Sequence, residues 1–121
     1  MNYAPSKSFT ELIVWQKSHQ LVLDIYKFTE GFPKTEMFGL TSQLRRSIVS
    51  VCANIAEGYK KKGKPDKIRF MNISQGSLAE SHYYLILAQD LNYGNNSALL
   101  EKLNEVSKLI EAYIKGIQNS F

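Results

Sequence analysis

The residues with the clearest chemical character are the cations of one short stretch, residues 59–69. The stretch holds six basic side chains and one acid, Asp66, a balance of +5 in a chain of 121 residues whose formal net charge is +4. The six cations are Lys60, Lys61, Lys62, Lys64, Lys67 and Arg69. Ammonium and guanidinium groups at this density suit the phosphates of a polyanion, so the stretch is a candidate nucleic-acid-binding surface.

Two further cations, Arg45 and Arg46, lie on the polar side of the helix that is predicted before this stretch. They would extend the basic surface. Tyr59 is the best placed aromatic side chain for stacking on a base, and few others stand nearby. The pattern therefore predicts electrostatic binding without sequence-specific readout. The alternative is a solvated loop whose lysines serve solubility, since charge runs in loops are commonly just hydrated.

The sequence lacks the residue patterns that metal sites in helical proteins use. A di-iron site in a helix bundle uses Glu-x-x-His pairs, and neither His19 nor His82 has a glutamate three residues earlier. One cysteine and two distant histidines are too few ligands for zinc. We therefore expect no metal and no other cofactor.

Two patterns raise the question of catalysis. Gly58-x-x-x-x-Gly63-Lys64 resembles a phosphate-binding loop, but Pro65 replaces the magnesium-binding Ser or Thr and the motif follows a helix. Glu57 and Glu80 could form an acid/base pair with Asn54 beside them. A structural polar network of these three side chains on packed helices is the stronger interpretation. We predict that the protein is not an enzyme.

Size and composition favour one domain over residues 1–121. Cys52, the single cysteine, lies in an apolar helical run, which predicts a small buried side chain. The beginning of the chain lacks the apolar segment of a secretory signal, and no uncharged run is long enough for a membrane helix. These features predict a cytoplasmic protein that does not contact membranes.

Apolar residues recur at steps of three and four, which predicts helices over about 13–30, 37–61, 65–92 and 98–118. The fourth helix has the most regular repeat. Its apolar residues are Leu99, Leu103, Val106, Ile110, Tyr113 and Ile117. Such a seam favours packing at a shallow angle. Because the connections are short, we predict an all-α, antiparallel up-down-up-down four-helix bundle.

The first predicted helix carries two adjacent stripes of low polarity, more than a helix in a small bundle needs. We therefore expect Trp15, Val22 and Tyr26 to contact another subunit. Small residues in the middle of the third helix, such as Gly76 and Ala79, would also allow a neighbouring helix to approach closely. Both features predict a homo-oligomer.

A set of motifs over about residues 9–93 resembles one bacterial family. The motifs are Leu12-x-Val14-Trp15-Gln16-Lys17-x-x-x-Leu21, Tyr26-x-x-Thr29-x-x-Phe32-Pro33, Phe38-Gly39-Leu40, Gln43-Leu44-Arg45-Arg46-Ser47, Asn54-Ile55-Ala56-Glu57-Gly58 and Gly76-Ser77-Leu78-x-Glu80. They are similar to those of the four-helix-bundle proteins encoded in intervening sequences of 23S ribosomal RNA genes. The accessory proteins of diversity-generating retroelements are similar too. The fourth helix matches only by its pattern.

The resemblance implies properties that the residue pattern does not show. Members form an antiparallel four-helix bundle and assemble as ring-like homopentamers. The retroelement accessory proteins bind nucleic acid through a basic surface and engage a reverse transcriptase. The pair Arg45 and Arg46 matches the family's paired arginines, which implies a nucleic-acid role for them. The lysines at 60–62 and 64 fall where the family is variable.

The sequence thus predicts a non-enzymatic homo-oligomer, as a pentamer by resemblance, that binds RNA or DNA through its basic loop. A reverse transcriptase is a further candidate partner. The alternative is a protein–protein assembly or adaptor module without nucleic-acid activity, in which the lysines serve solubility or dock an acidic surface.

Overall fold

The structure is a computed structural model that describes residues 6–120. Four helices make up most of it. We label them α1 (Ile13–Thr29), α2 (Leu40–Lys60), α3 (Lys64–Asp90) and α4 (Ser97–Gln118). Short 3-10 turns at Phe9–Glu11 and Lys34–Glu36 precede α1 and α2, and the described residues contain no strand. The all-α prediction with four helices is confirmed.

Each helix packs against the next one along the chain, and α4 closes against α1. Side-chain bonds show that neighbours run in opposite directions. Between α2 and α3, Ser47 meets Ser81 and Ser50 meets Ser77, so one number rises as the other falls. Between α1 and α4, Lys17 reaches Glu105, and Asp24, further along α1, reaches Lys102. The arrangement is that of an antiparallel four-helix bundle.

The apolar stripes of the four helices meet on the axis of the bundle. Leu44, Ile48, Val51 and Ile55 of α2 are completely buried there. The repeat of α4 also points inward, with Tyr113 packed at the edge of the core and the other members buried in it, namely Leu99, Leu103, Val106, Ile110 and Ile117. Burial of these side chains, at about 25 cal/mol per Å² of apolar surface, is the main stabilising contribution.

Small residues line the contact between α2 and α3. The Ser47 and Ser81 hydroxyl oxygens are 2.7 Å apart, and the Ser74 hydroxyl donates to the Val51 carbonyl at 2.8 Å. A Cβ atom on Gly58 would lie 2.7 Å from Met71 Cε. The small residues of α3 therefore serve packing within the chain, and only part of the band, including Gly76 and Ala79, faces outward.

The predicted oligomer contacts on α1 need a correction. Val22 is 9% exposed and belongs to the core of its own chain. Trp15 is half-buried, stacked on His19 and edge-on to Phe9. Only Tyr26, which is 40% exposed, presents a large free surface. The physical reason is that α1 lies between α2 and α4, so the bundle covers one apolar stripe and also Val22 of the second, while Tyr26 stays at the surface.

The ends of α2 and α3 differ by a few residues from the predicted ones, for local reasons. The helix α2 begins at Leu40, where the Glu36 side chain accepts a hydrogen bond from the Leu40 amide at 3.1 Å. The helix α3 ends at Asp90 because Asn92 has a φ of 63°. The amides of Asn92 and Tyr93 then bond back to the carbonyls of Gln89 and Ala88, which is a Schellman motif.

Candidate nucleic-acid interface

The lysine-rich stretch connects α2 to α3 at one end of the bundle. Lys60 is in the last turn of α2, Lys61 to Gly63 form the connection, and α3 begins at Lys64. Pro65 suits the first turn of α3, where a missing amide proton has no helical partner to lose. The side chains of Lys60 and Lys62 are exposed, so their charges face the solvent directly.

Lys67 points back toward α2. Its ammonium donates to the Tyr59 carbonyl at 2.8 Å and to the Gly58 carbonyl at 3.4 Å. Both carbonyls belong to the last turn of α2, where the helix dipole favours a cation. The Gly58 carbonyl also accepts a hydrogen bond from the Lys61 amide at 3.2 Å. Lys67 therefore stabilises the end of α2, and part of its charge is already compensated there.

The remaining cations of the stretch also have partners within the chain. The Lys64 ammonium donates to the backbone carbonyl of Ser120 beyond α4. Lys61 lies over the Phe70 ring at 5.0 Å. The Arg69 guanidinium lies 4.8 Å from the same ring and 3.8 Å from an Asp66 oxygen, in an exposed pair that contributes little to stability. These contacts orient the cations without removing their charge.

A cleft of about 490 Å³ lies between this stretch and the last turns of α4. We call it the lysine cleft. It is lined by Lys62, Lys64, Lys67, Ala112, Tyr113, Gly116, Ile117 and Ser120. Three lysine side chains thus line the cleft opposite a mainly apolar helix surface, although the ammonium groups of Lys64 and Lys67 also donate to carbonyls of the chain.

Tyr113 is the aromatic side chain of this cleft. Desolvation by burial, together with the neighbouring Tyr59 phenol, raises the pKa of Tyr113, so its phenol is neutral at physiological pH. Tyr59 itself, the aromatic singled out in the sequence, is partly engaged, because its hydroxyl donates to the Ser6 carbonyl at 2.5 Å and Lys67 lies over its ring. Tyr113 could not be predicted as a site residue from sequence, since its place beside the lysines depends on the packing of α4.

Arg45 and Arg46 lie far from the lysine cleft. Lys60 follows Arg45 by fifteen positions in α2, which corresponds to about 22 Å along a helix. The Arg45 guanidinium donates to the Thr29 hydroxyl at 2.8 Å and stacks on the Tyr26 ring at 4.6 Å. Arg46 is exposed. The eight predicted cations therefore form two separate surfaces, one at each end of α2.

The arginine surface borders a group of exposed apolar side chains. Phe38 is 92% exposed and Met37 is 56% exposed, and both precede α2. Together with Tyr26, Thr41, Ser42, Arg45 and Arg46 they line a shallow cleft of about 380 Å³. We call Tyr26, Met37 and Phe38 the Phe38 patch. The sequence analysis predicted a contact role for Tyr26 but missed Met37 and Phe38, although Phe38-Gly39-Leu40 is among the motifs that carry the resemblance.

The predicted polar network of Asn54, Glu57 and Glu80 is not what these residues form. The Asn54 amide donates to the Ser50 carbonyl at 2.8 Å and to its hydroxyl at 3.0 Å. Glu57 and Glu80 are exposed, and within residues 6–120 neither shares a hydrogen bond with Asn54. Both glutamates lie on the outer faces of their helices. Serines occupy the buried positions between α2 and α3 instead.

Other chemistry has little basis in the described part of the chain. Burial raises the pKa of the Cys52 thiol to about 12, so the expectation of a small buried side chain is confirmed. Between Ser6 and Ser120, no three His, Cys, Asp or Glu side chains gather as ligands for a metal ion. No helix in this range has both the length and the apolar character needed to cross a membrane.

Comparison with known proteins identifies the relatives. A crystal structure of a protein of unknown function, from the S23 ribosomal protein family of Bacteroides thetaiotaomicron VPI-5482, has the same fold with a TM-score of 0.75. It is 28% identical in sequence, and the alignment covers 85% of this chain and 99% of the other. No curated protein matches the chain.

The sequence pattern of one family, described as 23S rRNA-intervening sequence protein, matches residues 10–112. This range includes all of α1, α2 and α3 and most of α4, so it extends the resemblance beyond the motifs that end near residue 93. The chain belongs to the family of 23S rRNA-intervening sequence proteins.

Proposed function

We propose that this protein is a non-enzymatic, cytoplasmic homo-oligomer that binds nucleic acid electrostatically. The observation that carries the proposal is the concentration of cations at one end of the bundle. Lys60 and Lys62 are exposed there, and Lys64 lies beside an open cleft. Such a group attracts phosphates of RNA or DNA without reading their sequence. Arg46 supplies a second, smaller contact at the other end.

Assembly would strengthen this binding. A closed ring of identical subunits, pentameric as the resemblance implies, repeats the basic end once in each subunit. Weak phosphate contacts then act together on one polymer, because each bound site raises the effective concentration of the next. The exposed Phe38 patch is our candidate for the contact between subunits, replacing the predicted one around Val22. A reverse-transcription complex is the partner suggested by the likeness to retroelement accessory proteins.

The salt dependence of binding tests the electrostatic part. We expect the affinity for a fluorescent 30-nucleotide RNA, followed by anisotropy, to fall steeply between 50 and 200 mM salt. The triple variant K60Q/K62Q/K64Q should reduce the slope of log K against log salt by about 2, since each cation–phosphate contact on a single strand contributes about 0.7.

A matched control removes the same charge elsewhere. Lys27, Lys34 and Lys108 are exposed and lie outside the basic stretch. The variant K27Q/K34Q/K108Q should keep the slope of the original protein within about 0.5. A slope that is flat in the original protein, or equal losses in the two triple variants, would contradict binding through this stretch.

A second candidate function is an adaptor for another protein. It is favoured by the Phe38 patch, because an exposed aromatic residue with methionine and arginine beside it is typical of protein interfaces. Native mass spectrometry of freshly purified protein, with and without nuclease, separates the two candidates. Co-purified nucleic acid supports the first, and an oligomer that carries none and binds none in the anisotropy assay supports the second.

A further inference from the structure

The lysine cleft has one feature that binding to a phosphate backbone does not require. Exposed ammonium groups on a convex surface would be sufficient for phosphates, yet here Lys62 and Lys64 line a cleft whose other wall is formed by Tyr113 and the exposed edge of Ile117. Apolar surface beside cations suits a ligand that is anionic at one end and flat and weakly polar at the other. A nucleotide has this composition.

The dimensions of the cleft agree with such a ligand. Its volume of about 490 Å³ lies in the range of about 300–1,000 Å³ that is typical of small-molecule sites. Tyr113 offers an aromatic ring with a neutral hydroxyl, which can stack on a base and bond to its polar edge. Gly116 contributes no side chain, and a Cβ atom placed on it meets no atom within 4 Å. The glycine therefore keeps the cleft open.

The surrounding charges favour a polymer over a free nucleotide. Lys60 and Arg69 carry charge outside the cleft and are exposed to solvent. A single small anion would use the cations of the cleft and leave these two without a role. A strand that continues past the cleft places its neighbouring phosphates near them.

We propose that the lysine cleft takes up one unpaired nucleotide of a bound strand. Its base lies against Tyr113 and Ile117, and its phosphate lies between Lys62 and Lys64. This inference rests on the proposed function and makes it more specific, because a base inside a duplex is stacked and paired and cannot enter the cleft. The protein should therefore prefer single-stranded over double-stranded nucleic acid.

The test compares two strands of equal charge. One is a 12-nucleotide single strand, and the other has the same backbone with abasic sites at every position. We expect the full-length protein to bind the normal strand at least about fivefold more tightly, the lower end of the effect of one stacked base. The variant G116L should remove this advantage while it keeps the affinity for the abasic strand.

Gly76 provides the matched control. A Cβ atom on it also meets no atom within 4 Å, but it lies on α3 outside the cleft. G76L should therefore bind both strands as the original protein does. Because leucine is a better helix former than glycine, neither variant should melt at a lower temperature.

The outcomes are distinct. Equal affinities of the unmodified protein for the two strands, or an advantage that G116L retains, overturn the inference and leave electrostatic binding intact. Binding of neither strand overturns the proposed function as well. The comparison of strands with the unmodified protein keeps the inference testable even if G116L does not fold.

Discussion

The lysines of the basic stretch have different contacts although their side chains are chemically identical. Lys67 lies against the carbonyls of Gly58 and Tyr59, and Lys62 extends into solvent at the rim of the cleft. The difference arises from position on α3, since Lys67 lies one turn into the helix on the side facing α2. The charge of a lysine therefore does not by itself show that the residue binds a ligand. A substitution of Lys67 would change both the stability of α2 and the binding of a ligand, so its effect could not be attributed to binding alone.

Gly58 is a residue whose size is restricted by the close packing of α2 against α3. A Cβ atom there would lie 2.7 Å from Met71 Cε and 3.0 Å from Phe70 Cβ, and Met71 is completely buried. We expect Gly58→Ala to lower the free energy of unfolding by about 1 kcal/mol, because the overpacking cost exceeds the gain in helix propensity. Urea denaturation measures this change.

Gly76→Ala is the control at an open helical position, and it should raise the free energy of unfolding by about 0.5–1 kcal/mol. The two alanine substitutions therefore have opposite signs. Stabilisation by Gly58→Ala would show that α2 and α3 are not packed as closely as the serine contacts imply.

At the scale of the helices, α1 and α4 are joined by a pair of exposed bridges. The shorter one places Lys102 Nζ 2.6 Å from an Asp24 oxygen. Burial by itself would raise the pKa of Asp24, but hydrogen bonds from Lys102 and Gln20 and the charges of Lys102 and Lys27 outweigh it, so the pKa is lowered. The folded state therefore favours the ionised carboxylate.

The pH dependence of this bridge follows from the lowered pKa. The unfolded chain takes up the proton first, so the stabilisation is complete above about pH 5 and is lost as the pH falls through the folded-state pKa. We expect Asp24→Asn to lower the free energy of unfolding by about 0.5–1 kcal/mol at pH 7, and by less at pH 3, where the unfolded chain is already largely protonated. The expected effect is small because the side chain of Lys102 is half exposed.

Urea denaturation at the two pH values measures the effect. Glu105→Gln serves for comparison, because Glu105 and Lys17 are 3.3 Å apart and both half exposed. Glu105→Gln should lower the free energy of unfolding at pH 7 by less than Asp24→Asn does. An effect of Asp24→Asn that is equally large at pH 3 and pH 7 would mean that the carboxylate does not stabilise α1 against α4.

The helices themselves could be predicted from sequence because apolar spacing of three and four reflects one local geometry. The contacts of their side chains could not. Val22 belongs to an apolar stripe that exceeds what a helix in a small bundle needs, which led to the prediction of a subunit contact. It lies in the core because α1 is covered on two sides. Tyr113 lines the lysine cleft because of the way α4 packs. Glu57 and Glu80 face outward because serines fill the close contact between α2 and α3.

For the whole molecule, the two candidate surfaces lie at opposite ends of the bundle. The lysine cleft lies between the α2–α3 connection and the end of α4, whereas the Phe38 patch lies at the connection between α1 and α2. The proposed assembly through the Phe38 patch would therefore leave the cations accessible. It would also place identical clefts at a fixed spacing, so that one strand can contact several subunits.

Because the two surfaces are separate, a substitution in the Phe38 patch should change both the mass of the assembly and its affinity for a long RNA. Phe38 is 92% exposed, so Phe38→Ser should leave the melting temperature nearly unchanged, and in light scattering it should shift the protein from an oligomer toward the monomer mass. Affinity for a 30-nucleotide RNA should fall at least about tenfold, because contacts made jointly by several subunits are lost. Affinity for a 6-nucleotide RNA, which reaches one subunit, should stay the same.

Tyr83→Ser is the matched control, because Tyr83 is an aromatic residue on the outside of α3 that is 57% exposed. It should change neither the mass nor the affinity for either RNA. If Phe38→Ser also keeps the oligomer mass, subunits meet elsewhere and the patch is free for a different protein, as the adaptor function requires. If the mass falls while the affinity for the long RNA is kept, each subunit binds alone, and repetition of the basic end does not contribute to binding.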